Sequence, residues 1–157
     1  MESRENKGST FVFTLPDNRA EGIKRSQMAE KTEQEFSGPA HTLLVVEDDE
    51  SSYLYLQEIL TRSNIQLLRA FNGKEAIEML NQNPAISLIL MDIKMPVMNG
   101  WDATRQIKQM RADIPVIAQT AYASENYRIQ SLDAGCDDYI SKPINKELLL
   151  EIIRKFI

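Results

Sequence analysis

From Thr42 onward the chain repeats one pattern five times: a short apolar run, then a longer amphipathic stretch. The runs are TLLVVE (42–47), IQLLRA (65–70), SLILMD (87–92), IPVIAQT (114–120) and DYISK (138–142). Short continuous apolar runs suit strands covered on both faces, and helix-period stretches between them make βα units around a parallel sheet. The helical stretches begin near Ser51, Asn72, Trp101, Ser124 and Asn145, with Leu54, Ile59 and Leu60 among the apolar positions of the first. Asn72, followed three places on by Glu75, resembles a capping box, and NKELLLEIIRKF is expected to run as helix to the chain end. No internal repeat, P-loop or Gly-rich dinucleotide fingerprint is present; FNGKEA is not GxxxxGK[ST]. A small doubly wound α/β fold of five strands and five helices is therefore expected. In such folds the chemistry sits outside the carboxyl ends of the strands, where strand order reverses.

With 157 residues, 43% hydrophobic and 26% charged, the chain can bury one sizeable core and carry a tail, but not a second full domain. A net charge of −5 argues against nucleic acid as a direct partner. Cys136 is the single cysteine, which excludes an internal disulfide, a CxxC pair and a cysteine zinc cluster, and fits a reducing cytoplasm. No apolar run approaches the roughly 20 residues of a membrane helix, and MESRENKGST lacks the core of a secretion signal. A soluble, cytoplasmic chain is expected, whose longer parent could be membrane-anchored. Residues 9–16, STFVFTLP, alternate like a strand ending at a proline. Residues 17–40 are polar and mixed in charge, as a linker is.

The strand ends gather unusual side chains. The first carries Glu47, Asp48 and Asp49, the third Asp92, the fourth Thr120, and the fifth Lys142 before Pro143. Converging carboxylates repel unless a cation neutralises them, and an all-oxygen set without Cys or His ligands points to Mg²⁺ rather than zinc. His41, the only histidine, precedes the first run and reads as a linker residue. A register slipped by one would make Asp48 and Asp49 the acid pair, but the alternation in LLVVED favours Glu47 and Asp48. A carboxylate nucleophile, a metal, a hydroxyl and an ammonium on one rim are the parts that phosphoryl transfer needs. Taken singly, each has an ordinary structural reading. Met91, Met95 and Met98 read as packing, Trp101 as a helix anchor, Asn99–Gly100 as a turn admitting positive φ, and Cys136 as a small residue without a histidine base.

In order, VVEDDE, MDIKMPVMNG, QTAYA and YISKP resemble the four signature blocks of response-regulator receiver domains, over residues 41–157. The resemblance implies a flavodoxin-like sheet of order 2-1-3-4-5. It implies Asp92 as phosphoacceptor, Asp48 as a direct Mg²⁺ ligand with Glu47 alongside through water, and the Lys94 backbone carbonyl completing the set. Thr120 would hydrogen-bond the acyl phosphate, Lys142 would pair with it, and Tyr139 would be the aromatic switch. A cis bond before Pro143 is also implied. Glu47 departs from the family's usual Asp, though its longer arm still reaches a metal. Lys94 and Tyr122 hold variable positions where their side chains could crowd an attacking water, so a long-lived phosphoryl group is expected.

Residues 7–16, KGSTFVFTLP, resemble the closing strand of a histidine-kinase ATP-binding domain. The whole then looks like a hybrid histidine kinase piece: remnant (1–16), linker (17–40), receiver (41–157). Such a piece would not bind ATP or phosphorylate itself. Its partners would be a histidine kinase domain or a histidine phosphotransfer domain, with a homodimer through the fourth helix, fifth strand and fifth helix. Two other readings stay open: a degenerate receiver that only binds proteins, and a haloacid dehalogenase-type phosphatase, which wants Asp where Lys94 stands.

Overall fold

The computed structural model describes residues 41–61, 65–121 and 125–157, together with the backbone of Glu2–Ser3 and Ser9–Thr10. The chain divides into two units, Met1–Glu33 and Gln34–Ile157. In the first, Glu2–Ser3 pairs antiparallel with Ser9–Thr10. The remaining residues of the expected 9–16 strand and the linker, 17–40, lie outside the described residues.

In the second unit the strands are β1 (His41–Val46), β2 (Ile65–Ala70), β3 (Ile86–Asp92), β4 (Val116–Thr120) and β5 (Asp138–Ser141). They pair in parallel in the order β2-β1-β3-β4-β5. The helices are α1 (Glu50–Leu60), α2 (Gly73–Gln82), α3 (Gly100–Met110), α4 (Glu125–Asp133) and α5 (Lys146–Ile153). This is the expected flavodoxin-like arrangement.

The period-2 rule explains why the strands are apolar throughout. Leu44, Val46, Ile89 and Met91 point to one face, where they pack with Ala76 and Leu80 of α2 and Ala103 and Ile107 of α3. Leu43, Val45, Leu88 and Leu90 point to the other, against Leu56, Ile59 and Leu60 of α1 and Leu149, Ile152 and Ile153 of α5. Leu54, by contrast, is 51% exposed, because the buried stripe of α1 runs through Leu56.

Caps fix the helix starts. Asn72, Asn99 and Asn145 accept hydrogen bonds from the amides of Glu75, Asp102 and Leu148, satisfying donors that the first helical turn leaves open. Boundaries differ from expectation where backbone hydrogen bonding decides. His41 is the first residue of β1, paired in register with Ile65, not linker. Strand β4 starts at Val116 rather than 114, since Pro115 has no N–H and the Ile114 N–H turns back to the Arg111 carbonyl. Helix α5 ends at Ile153, and the last residues form turns.

The expected positive φ at Asn99–Gly100 is absent. Among non-glycine described residues it occurs at Val97, φ 67°, and Gly100 is the first residue of α3. Gly100 answers to close approach instead: a Cβ there would lie 2.2 Å from the Asp92 carbonyl oxygen and 2.9 Å from Ile93 Cα. That contact, with the Gly100 amide donating to the Ile93 carbonyl at 3.0 Å, seats α3 against the end of β3.

Candidate functional site

Parallel pairing brings the ends of β1, β3, β4 and β5 to one rim, and the rim collects the acids, Thr120 and Lys142. Glu47 follows β1 with its amide donating to the Ala70 carbonyl at 3.0 Å, the last link to β2 before the chain leaves the sheet. Asp92 closes β3, in register with Gln119 of β4. Lys142 follows β5, its amide donating to the Thr120 carbonyl at 2.7 Å, and the Lys142–Pro143 bond is cis. Glu47, Asp92 and Thr120 are buried, at 1%, 7% and 2% exposure.

One carboxylate oxygen from each of Glu47, Asp48 and Asp92 lies within 4.8 Å of the others. The Lys142 ammonium donates to Glu47 Oε2 at 2.7 Å and to Asp92 Oδ2 at 2.6 Å. Burial pulls the Lys142 pKa down, but the hydrogen bonds to Asp92 and Glu47 outweigh it and leave the pKa raised. For Glu47, burial is the largest influence; it and the Asp92 charge outweigh Lys142 and push the carboxyl from 4.5 to about 7. Lys94 donates its amide to Asp92 Oδ1 at 3.0 Å, which turns the second oxygen of Asp92 toward Lys142.

Asp49 is elsewhere. Its side chain caps α1, accepting from the Ser52 amide at 2.7 Å, and that backbone hydrogen bond holds its pKa below the ordinary value. The acid cluster is therefore Glu47, Asp48 and Asp92, not the slipped pair. Tyr139 is half-buried against the core, with the Arg128 guanidinium 5.8 Å from its ring centroid. Tyr122 lies outside the described residues.

The donor set fits a hard divalent cation. Glu47 Oε1 is buried with no hydrogen-bond partner among the described residues, an acceptor whose burial is costly unless something positive meets it. The three acids supply oxygen only, and Asp48 is exposed, leaving water and phosphate oxygens room to enter. Asp48 also lines a cleft of about 430 Å³ with Ile93, Lys94, Met95, Trp101 and Tyr127. The bland readings suit the other residues. Trp101 donates to Ser131 Oγ at 3.2 Å and packs on Tyr127, bridging α3 to α4. Cys136 is buried, and burial raises its thiol to about 11, far from a reactive thiolate.

Arg69 joins the site although the sequence reading did not single it out. Its guanidinium lies between the Tyr53 and Phe71 rings, 4.3 and 4.2 Å from their centroids, and contacts the Glu47 carbonyl at 3.3 Å and the Glu50 carboxylate. An arginine near the end of an apolar run, followed two places on by an aromatic, is the one hint that IQLLRAF gives.

No helix among the described residues is long and apolar enough to cross a membrane. The chain is 36% identical over 119 residues to hybrid signal transduction histidine kinase I of Dictyostelium discoideum, covering 71% of this chain and 7% of that protein. It is 31% identical over 161 residues to two-component system protein A of Emericella nidulans, covering 95% of this chain and 24% of that protein. The chain thus spans a quarter or less of the length of these relatives. Among solved structures it matches a chain of the Saccharomyces cerevisiae co-crystal of the histidine phosphotransfer protein Ypd1 with the receiver domain of its downstream response regulator Ssk1. There the TM-score is 0.70 at 28% identity, covering 75% of this chain and 89% of that one. The family model of the response regulator receiver domain matches residues 43–154, so the chain belongs to the response regulator receiver domain family and is homologous to the receivers of hybrid sensor kinases.

Proposed function

We propose that this receiver takes a phosphoryl group onto Asp92 from a phosphohistidine, and that the reaction is carried by the convergence of Glu47, Asp48, Asp92 and Lys142 on one rim. Asp92 Oδ2, 2.6 Å from the Lys142 ammonium, is the oxygen that attacks. A new O–P bond forms there as the N–P bond to the donor imidazole breaks, and the imidazole leaves with the nitrogen lone pair and picks up a proton. Lys142 stays within reach of the transferred group and balances its charge, while the Thr120 hydroxyl, on the neighbouring strand end, donates a hydrogen bond to a phosphoryl oxygen. Glu47, Asp48, Asp92 and the Lys94 carbonyl would hold Mg²⁺, which supplies charge neutralisation for the acids and the phosphoryl oxygens.

Tyr139 is the proposed switch. Movement of Thr120 toward the phosphoryl group opens space beside Tyr139, and its turning biases the surface of α4, β5 and α5. Lys94 and Tyr122 modulate phosphoryl lifetime in this reading. The partners are a histidine kinase domain or a histidine phosphotransfer domain, and the Ssk1 receiver's complex with Ypd1 supports the second. A match over 95% of the chain with the Emericella protein supports an origin in a longer two-component protein. In this reading the chain catalyses its own phosphorylation and dephosphorylation, without kinase activity of its own.

Incubation with phosphoramidate and Mg²⁺, read by intact mass, tests the assignment. One phosphoryl group is expected on the wild-type chain, none on Asp92→Asn, and none with excess EDTA. A wild-type chain that gains no mass, or an Asp92→Asn variant that still gains it, overturns the reading.

A further inference from the structure

We infer that Arg69 is a positioning residue that holds the acidic turn at Glu47 and Asp48 in shape for divalent-cation binding; this rests on the receiver site proposed above. The turn needs such an anchor. After the Glu47 amide bonds to the Ala70 carbonyl, the chain leaves the sheet, so the ladder no longer fixes Asp48. Three carboxylates converging within 4.8 Å repel one another, and the exposed one is free to swing out unless its backbone is held.

Arg69 grips that backbone. Its Nε lies 3.3 Å from the Glu47 carbonyl oxygen and Nη2 lies 3.5 Å from that of Asp48, while Nη1 pairs with the Glu50 carboxylate. The guanidinium plane is packed between the Tyr53 and Phe71 rings, at 4.3 and 4.2 Å from their centroids. Its side chain is 12% exposed, against 67% for Glu50. Two aromatic faces and three acceptors from one short stretch of chain determine the orientation of a planar fork, which a lysine ammonium cannot reproduce. The contacts reach main-chain carbonyls rather than the Glu47 or Asp48 carboxylates, so Arg69 shapes the ligands without competing for them. Pairing with Glu50 offsets a positive charge that would otherwise oppose the incoming metal.

The test is calorimetric titration of the full chain with Mg²⁺, for wild type, Arg69→Gln, Arg69→Lys and Phe71→Leu, alongside phosphorylation by phosphoramidate at limiting and saturating Mg²⁺. Both Arg69 variants are expected to weaken Mg²⁺ binding by about tenfold, the usual scale for residues that orient ligands from behind. Phosphorylation should then slow at limiting Mg²⁺ and recover fully at saturating Mg²⁺. Affinity unchanged in both variants overturns the inference, and so does Arg69→Lys restoring what Arg69→Gln loses, since charge alone would then suffice. Should neither Arg69 variant fold, Phe71→Leu decides: Phe71 is 47% exposed, weaker Mg²⁺ binding is expected, and unchanged binding overturns the role of the stack. A wild-type chain that takes up no Mg²⁺ refutes the receiver site itself, a result distinct from loss confined to the variants.

Discussion

Glu47 is 1% exposed, lies within hydrogen-bonding reach of Lys142, and has its carboxyl pushed, chiefly by burial, from 4.5 to about 7. Its folded pKa therefore stands above its unfolded one, so the folded state binds the proton more tightly. The associated stability is fully present below pH 4.5 and is lost as pH rises through about 7. In EDTA the chain should lose on the order of 1–2 kcal/mol across this window, less than the full shift implies because solvent and counter-ions at the rim screen the charge. Urea unfolding at pH 5 and pH 8 measures it. Glu47→Gln should remove this part of the slope; an identical pH dependence in the variant would show that Glu47 is ionised at ordinary cost. Glu47, Asp48 and Asp92 were legible as a cluster because each ends a strand candidate. The pairing of Lys142 with Glu47, 95 positions apart, was not legible: the resemblance paired Lys142 only with the acyl phosphate, and spacing within one element says nothing about contacts across the sheet.

Helix α3 shows how one small residue places an element. Gly100 opens the helix directly against the backbone of Asp92 and Ile93, and the Cβ of an alanine would collide with main chain rather than with a side-chain tip able to swing away. Gly100→Ala is expected to cost about 3 kcal/mol, since overpacking against a fixed backbone forces the helix itself to shift. It should slow phosphoramidate labelling too, because β3 carries Asp92. Chemical denaturation and labelling together check this, and a cost below about 1 kcal/mol would mean that α3 moves without strain. The sequence did mark Asn99–Gly100 as special, but for the wrong physical reason. Glycine after asparagine signals a positive φ, whereas here asparagine caps the helix, glycine permits close approach, and the left-handed residue is Val97. A β-branched residue is the last type that propensity would assign there. Strand β2 matched its expected limits, β1 shifted by one residue at both ends, and the other strands differed by one or two residues at one end, because apolar runs record burial while ladder ends depend on which N–H groups find partners.

Across residues 41–157 the site belongs to the assembled sheet rather than to any one element. Its acids come from the end of β3 and the residues just after β1, its hydroxyl from the end of β4 and its ammonium from the residue after β5, with α1 and α5 sealing one face and α2 and α3 the other. Lys142 meets Glu47 at 2.7 Å and Asp92 at 2.6 Å only when the ends of β1, β3 and β5 are brought together, so Mg²⁺ is expected to bind tightly only to the assembled sheet. A ligand that binds the native state alone raises stability by RT ln(1 + [L]/Kd), about 1.4 kcal/mol at ten times Kd. Because the proposed ligands sit at the ends of β1 and β3 and Lys142 ties Glu47 and Asp92 to the end of β5, that increment should appear in one cooperative transition and not as a second phase. Trp101, the only tryptophan, sits on α3, while far-UV circular dichroism averages over all elements, so the two signals report different parts of the structure. Their unfolding midpoints should coincide in EDTA and rise together in Mg²⁺. A rise confined to tryptophan fluorescence would mean that the cation organises only the α3 side, and that β1 and β5 join the site less firmly than their contacts imply.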